Sequence, residues 1–194
     1  MGDYHDYVFD VAGRRLVGDF EAMYQAEDTS GFDSWHERDL RPLRKQIARE
    51  ILNEQNFSSI LEIGCGKGTF THLLKKRNNR VVATDLSPTA IARAQQSYGD
   101  IDFRAMTIDE VCAMDDRFDL VIVMGTFAYV ENWKDCVALL PKLAPSFFVA
   151  EYIPPDPIGY VKSIEELVGT VGKHFNISTK VVIDDVHCML MASL

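Results

Sequence analysis

Glu62-Ile-Gly-Cys-Gly-Lys-Gly68 is the segment of this 194-residue chain whose residue types and spacing say most about chemistry. It follows a short apolar run and precedes a helical pattern, so its glycines fall in a turn at the carboxyl end of a strand. Glycines there let the backbone bend sharply and let a ligand approach the main chain. About twenty residues on, past the next apolar run, stands Asp85, where an acid can accept both hydroxyls of a ribose. The pair points to a nucleoside-containing ligand lying across the ends of parallel strands. Spacing then separates two kinds of such ligand. A dinucleotide loop reads GxGxxG, its third glycine permitting close helix packing. Here the glycines are Gly64, Gly66 and Gly68, and Thr69 stands where the packing glycine would be. Glu62, in the strand just before the turn, is a poor neighbour for a pyrophosphate and a good one for a cation.

The elements that must position these residues follow from periodicity. Helical spacing of Leu40, Leu43, Ile47 and Ile51 predicts a helix over Glu37–Gln55. Strands are expected at Ser59–Gly64, Arg80–Thr84, Ile101–Arg104, Phe118–Met124 and Ser146–Tyr152. Helices are expected at Thr69–Lys76, Ser87–Ser97, Thr107–Ala113, Asn132–Leu143 and Ile164–Val171. Ser87 suits an N-cap and Pro88 the first helical position. Alternation of this kind implies parallel strands joined by crossover helices. Ser178–Ile183 and His187–Ala192 flank a connection too short for a crossover, so the sheet ends in an antiparallel strand. The expected fold is α/β: a doubly wound, mostly parallel seven-stranded sheet with an antiparallel C-terminal strand, in three α/β/α layers. A single domain is expected, with residues 1–36 as an N-terminal arm or lid and 37–194 as the core.

A formal charge of −9 argues against nonspecific nucleic-acid binding, which needs Lys/Arg surfaces. The four cysteines form no CxxC pair, and no Cys/His cluster has zinc spacing, so no metal site and a reducing compartment are expected. No basic-then-apolar leader opens the sequence and no apolar run is long enough to span a bilayer. The expectation is a cytoplasmic protein without a membrane partner, as a monomer or homodimer.

ExGCGxG followed by Asp85-Leu-Ser-Pro-Thr-Ala-Ile-Ala-Arg-Ala resembles the class I S-adenosylmethionine-dependent methyltransferases, over roughly Arg38 to Leu194. The terminal hairpin matches the reversed last strand of their Rossmann-like fold. The resemblance implies S-adenosyl-L-methionine as cofactor and S-adenosyl-L-homocysteine as product. It implies that Glu62, Gly64, Cys65, Gly66 and Gly68 hold the methionine portion, Asp85 the ribose, and Leu86 one side of the adenine. Met124, ending the fourth strand, belongs to the same expected set. The family often places an acid after the third strand to bond the adenine amino group; here Thr107 stands there, so Thr107 or backbone near Met106 and Ile108 takes that place. Phe20-Glu-Ala-Met-Tyr24 with Asp33-Ser-Trp35 resembles the N-terminal segment of the nodulation N-methyltransferases, although Ser34 replaces their usual proline. That implies Tyr24 and Trp35 closing over the cofactor.

The expected reaction is an in-line methyl transfer to oxygen or nitrogen of a small molecule, the nodulation resemblance adding a sugar derivative. An oxygen nucleophile wants a base within reach; His36, Tyr129 and Glu151 are the candidates. Three other readings stay open at this point. They are a nicotinamide-cofactor dehydrogenase, a cofactor-binding partner module without catalysis, and an S-adenosylmethionine enzyme of the aminopropyl-transfer kind.

Overall fold

The computed structural model describes residues 4–194. Near the N-terminus a small ribbon pairs β1 (Phe9–Asp10) with β2 (Arg15–Leu16), followed by α1 (Phe20–Ser30). After α2 (Leu43–Asn53) the chain alternates: β3 (Ser59–Ile63), α3 (Thr69–Leu74), β4 (Arg80–Asp85), α4 (Pro88–Ser97), β5 (Asp102–Ala105), α5 (Ile108–Cys112), β6 (Leu120–Met124), α6 (Trp133–Leu143) and β7 (Ser146–Tyr152). It closes with α7 (Ile164–Val171), β8 (Asn176–Ile183) and β9 (His187–Ser193). Seven strands form one sheet in the order β5-β4-β3-β6-β7-β9-β8, with β3 to β7 mutually parallel and β9 antiparallel to both its neighbours.

The central strands are apolar on both faces because helices cover both. Leu61, Val121, Val123 and Phe147 pack into the layer with α5, α6 and α7, while Ile60, Leu120, Ile122 and Phe148 pack into the layer with α2, α3 and α4. Phe147 is fully buried, its ring centroid 6.3 Å from that of Phe127 and 5.5 Å from that of Phe175. Phe147→Ala is expected to cost about 3–5 kcal/mol, read as a lower urea midpoint with an unchanged slope. The edge strand β8 alternates exposed and half-buried residues, as a strand with one wet face must.

One expectation changes, and two features are added to the expected fold. The first helix begins at Leu43, not Glu37: Pro42 precedes it and pushes the residue before it out of helical backbone. Leu43 is exposed; Ala48 and Leu52 provide the buried face. The arm contains a helix that the sequence reading did not name: Asp19 caps α1 through its side chain and Gly31 ends it in left-handed backbone. The C-terminal strand β9 is antiparallel, as expected, and lies between β7 and β8. The remaining boundaries shift by a few residues at most.

Candidate cofactor and acceptor site

The turn after β3 is tied to its neighbour strand: Gly64 and Cys65 N–H both donate to the Thr84 carbonyl, at 2.8 and 2.9 Å. Asp85 then grips the loop from the end of β4. One carboxylate oxygen accepts from Gly66 N–H (2.8 Å), the other from Ser87 N–H at the start of α4 (2.9 Å). Gly66 has φ +55, and a side chain there would stand 2.2 Å from the Glu37 carboxylate. Gly68 plays a different part from the one expected. It lies outside the cavity wall, at φ +77, where a Cβ would be 2.7 Å from the Phe103 ring. It is the packing glycine, one residue earlier than in a dinucleotide loop.

A cavity of about 1070 Å³ opens at the carboxyl ends of the parallel strands. It gathers the other residues read from the sequence. Glu62, Gly64, Cys65, Gly66 and Asp85 line it from the ends of β3 and β4; Leu86, Met106, Thr107 and Ile108 line it from the loops after β4 and β5, and Met124 from the end of β6. Tyr24, Trp35, His36, Tyr129 and Glu151 line it from the arm, the β6 loop and the end of β7. Cys65 is buried and its thiol is pushed well up by burial, so it packs and does not react. Thr107 is committed elsewhere. Its hydroxyl donates to Glu110 at 2.8 Å and accepts from the Glu110 N–H, a capping box that starts α5.

Buried carboxylates set the electrostatics. Glu62 is 2 % exposed, and one of its oxygens has no hydrogen-bond partner. Burial pushes it up to about 8; the nearby Thr71 hydroxyl opposes this, without completing a hydrogen bond, and Glu37 and Asp85 add to it. Glu37 is pushed to about 7 by burial, against the pull of Lys67 and Tyr24. Asp85 is raised for the same reason, against its N–H donors. Glu151 accepts from Thr126 and Phe127 N–H at 3.0 and 2.8 Å through one oxygen, while the other, buried, has no partner. Burial holds it at about 7. Acids without compensating charge resist ionisation, and a cation placed among them reverses that.

The consequence is a pH dependence of definite sign. Between the ordinary carboxylate value of 4.5 and the raised values near 7 and 8, the folded protein holds more protons than the unfolded chain. Stability therefore falls as pH rises through that window. Each unit of raised pKa corresponds to about 1.4 kcal/mol, or about 3–6 °C for a chain this size. Scanning calorimetry at pH 6 and pH 8 should show the lower Tm at pH 8, with a smaller difference when a cationic ligand is bound.

Several wall residues escaped the sequence reading. Arg44, at the start of α2, lines the cavity and makes no hydrogen bond or ion pair among the described residues. Lys45 beside it gives its ammonium to the carbonyls of His36 (2.8 Å), Glu37 (3.3 Å) and Asp39 (2.8 Å). Glu37 was hidden by its assignment to a helix; Pro42 was the signal that the helix starts later. Phe9, Phe20 and Trp35 place their ring centroids 5.8, 5.4 and 5.4 Å from that of Tyr129, forming an aromatic wall between arm and core. Burial raises the Tyr129 phenol, with Glu151 adding to the shift. Among the described residues, no group of three or more His, Cys, Asp or Glu side chains is placed to hold a metal ion.

A doubly wound sheet with one reversed strand, a GxGxG turn after its first parallel strand and an acid after its second defines the class I methyltransferase fold. The comparisons with known proteins agree. The profile of the family described as "Methyltransferase domain" matches residues 60–144. The chain is 33% identical over 92 residues to a ubiquinone biosynthesis O-methyltransferase of Methylobacterium sp. (strain 4-46), covering 43% of this chain and 37% of that one. It is 32% identical over 106 residues to a malonyl-[acyl-carrier protein] O-methyltransferase of Calditerrivibrio nitroreducens, covering 50% and 41%. It thus spans about two fifths of the length of these relatives. Among solved structures, the N-methyltransferase NodS of Bradyrhizobium japonicum WM9 with S-adenosyl-L-homocysteine aligns at TM-score 0.69 and 22% identity, over 88% of this chain and 96% of that one. The magnesium protoporphyrin IX methyltransferase of Synechocystis PCC 6803 aligns at 0.68 and 17%, over 90% and 99%. The chain thus carries a methyltransferase-domain match over residues 60–144 and has the fold of the class I S-adenosylmethionine-dependent methyltransferases. Among the described residues, no helix is long and apolar enough to cross a membrane.

Proposed function

We propose that this chain binds S-adenosyl-L-methionine and transfers its methyl group to an oxygen or nitrogen of a small molecule. The observation that carries this reading is Glu62: a buried carboxylate with an unpartnered oxygen, at the foot of a glycine turn that brings bare backbone to the cavity. A cationic amino-acid cofactor fits there; a pyrophosphate does not. Glu62 receives the ammonium group of the methionine portion, and Arg44, which lines the same cavity with its side chain unpaired among the described residues, receives its carboxylate. Asp85 accepts the ribose hydroxyls. Leu86, Met106 and Ile108 offer apolar surface to the adenine, and with the Thr107 hydroxyl held by Glu110 the adenine amino group is left to backbone acceptors.

The cofactor supplies a methyl group already activated on a sulfonium, so the protein contributes alignment, desolvation and proton handling. Tyr24, Trp35 and the aromatic wall exclude water from above. Glu151 is the base we favour over Tyr129 and His36. Its free oxygen is buried, the other is fixed by two N–H donors, and burial holds it near 7, where a base serves best at neutral pH. Tyr129, its phenol raised, is a donor or a ring surface for the acceptor, and His36 lies exposed at the rim.

The acceptor is a small molecule, because the arm roofs the cavity and leaves little surface for docking a macromolecule. Its identity is open to trial. The relatives' names bring hydroxyl and carboxyl oxygens into the panel; the nodulation resemblance brings amines and sugar derivatives. The test is transfer of labelled methyl from S-adenosyl-L-methionine to such a panel, with formation of S-adenosyl-L-homocysteine as a second readout. Cofactor binding with no product from any acceptor class would favour a partner module instead.

A further inference from the structure

Lys67 has no role in the reading above. It sits inside the glycine turn, where a cation beside a cationic cofactor is adverse, yet it does not line the cavity. Its side chain is 9% exposed and runs the other way, into the arm. There the ammonium donates to both oxygens of Glu27 (2.9 and 3.2 Å) and to Asp33 (2.6 Å). Its backbone N–H donates to Glu37 (2.9 Å), whose other oxygen accepts from the Tyr24 hydroxyl (3.0 Å). Glu27, buried in turn, also takes Arg93 from α4 (2.5 Å) and the Ser34 N–H (2.7 Å). One residue of the cofactor loop thus holds three acids of the N-terminal segment.

Two of those acids bracket an unusual piece of backbone. Between Asp33 and Glu37, Trp35 and His36 have φ of +61 and +48. Side-chain-bearing residues persist in such backbone only where their surroundings over-determine it. Lys67 supplies that constraint from both sides, through its ammonium before the turn and its N–H after it. The turn it grips carries Trp35 to the cavity wall, where the indole meets Tyr129 and Phe20 at centroid distances of 5.4 and 6.4 Å. A buried ion cluster is weak evidence for stability, because apolar replacements often serve as well. It is a good device for fixing position.

We infer that Lys67 is a positioning residue that couples the glycine turn to the arm, seating Trp35 over the cofactor and so governing how long the cofactor stays. This rests on the cofactor reading given above. The experiment uses the full chain in a Trp133→Phe background, leaving Trp35 as the only tryptophan. Trp35 emission is recorded without ligand, and S-adenosyl-L-homocysteine dissociation is followed by stopped flow. Lys67→Met should move the emission to the red and raise the dissociation rate about tenfold, with the thermal midpoint still cooperative. Lys67→Arg should restore both. Lys67→Met/Asp33→Asn removes a cation and an acid together, and should show the same red shift if the single variant folds poorly. Unchanged emission and dissociation in Lys67→Met would overturn the proposal, as would unfolding of both variants, which would make Lys67 a structural pillar only. If the parent protein fails to bind S-adenosyl-L-homocysteine, the cofactor reading falls, and the ligand-free emission still decides whether Lys67 seats Trp35.

Discussion

Replacing Glu151 by glutamine is expected to lower kcat by about 10²–10⁴ while leaving S-adenosyl-L-homocysteine affinity essentially unchanged. Glutamine keeps the size and keeps an oxygen able to accept from Thr126 and Phe127 N–H, so the loop after β6 stays in place. What it loses is the second oxygen, buried and without a partner, which can receive the acceptor's proton. The wild-type rate should rise with pH through a value near 7, because the base works only when ionised and burial sets that point at about 7. The variant should lose this limb. A variant with full activity and an intact pH limb would reassign Glu151 to holding the β6 loop, and His36 or Tyr129 would come forward as the proton acceptor.

Asp85→Ala should weaken S-adenosyl-L-homocysteine binding by about a hundredfold or more, roughly 2.8 kcal/mol. Two losses add. The ribose loses its acceptors, and Gly66 N–H and Ser87 N–H lose the carboxylate that holds the glycine turn against the start of α4. Asp85→Asn separates them, since the amide retains one oxygen for the loop but offers the ribose a poorer partner; its loss should be smaller. Calorimetric titration of both variants beside wild type measures the effect, and thermal melts confirm that each is folded. Equal affinity in all three proteins would remove Asp85 from the site.

Much of the fold was legible because its signals are local. Apolar runs at strand length, Ser87 and Pro88 at the start of α4 and the short connection after Ile183 each name an element without knowledge of its neighbours. The part of the cavity lined by Glu62, Gly64, Gly66 and Asp85 was legible for the same reason, since these residues belong to two short segments at fixed offsets. What stayed hidden depends on contacts far apart in sequence. Lys67 meets Glu27 across 40 residues and Glu37 across 30. Arg44 is distinguished only by what it does not touch. Gly68 looked like a ligand-facing glycine until Phe103, from the strand two places along in the sheet, was seen behind it. The placement of β9 between β7 and β8 likewise could not be read from a hairpin, which is silent about which of its strands joins the sheet.

The measurement that tests the central claim most directly is calorimetric titration of the purified wild-type chain with S-adenosyl-L-homocysteine, and separately with NADH. The buried acids beside a bare glycine turn predict micromolar binding of S-adenosyl-L-homocysteine and no heat from NADH. Clear NADH binding with silence towards S-adenosyl-L-homocysteine would contradict the account and make this a dinucleotide-binding domain on a methyltransferase-like frame.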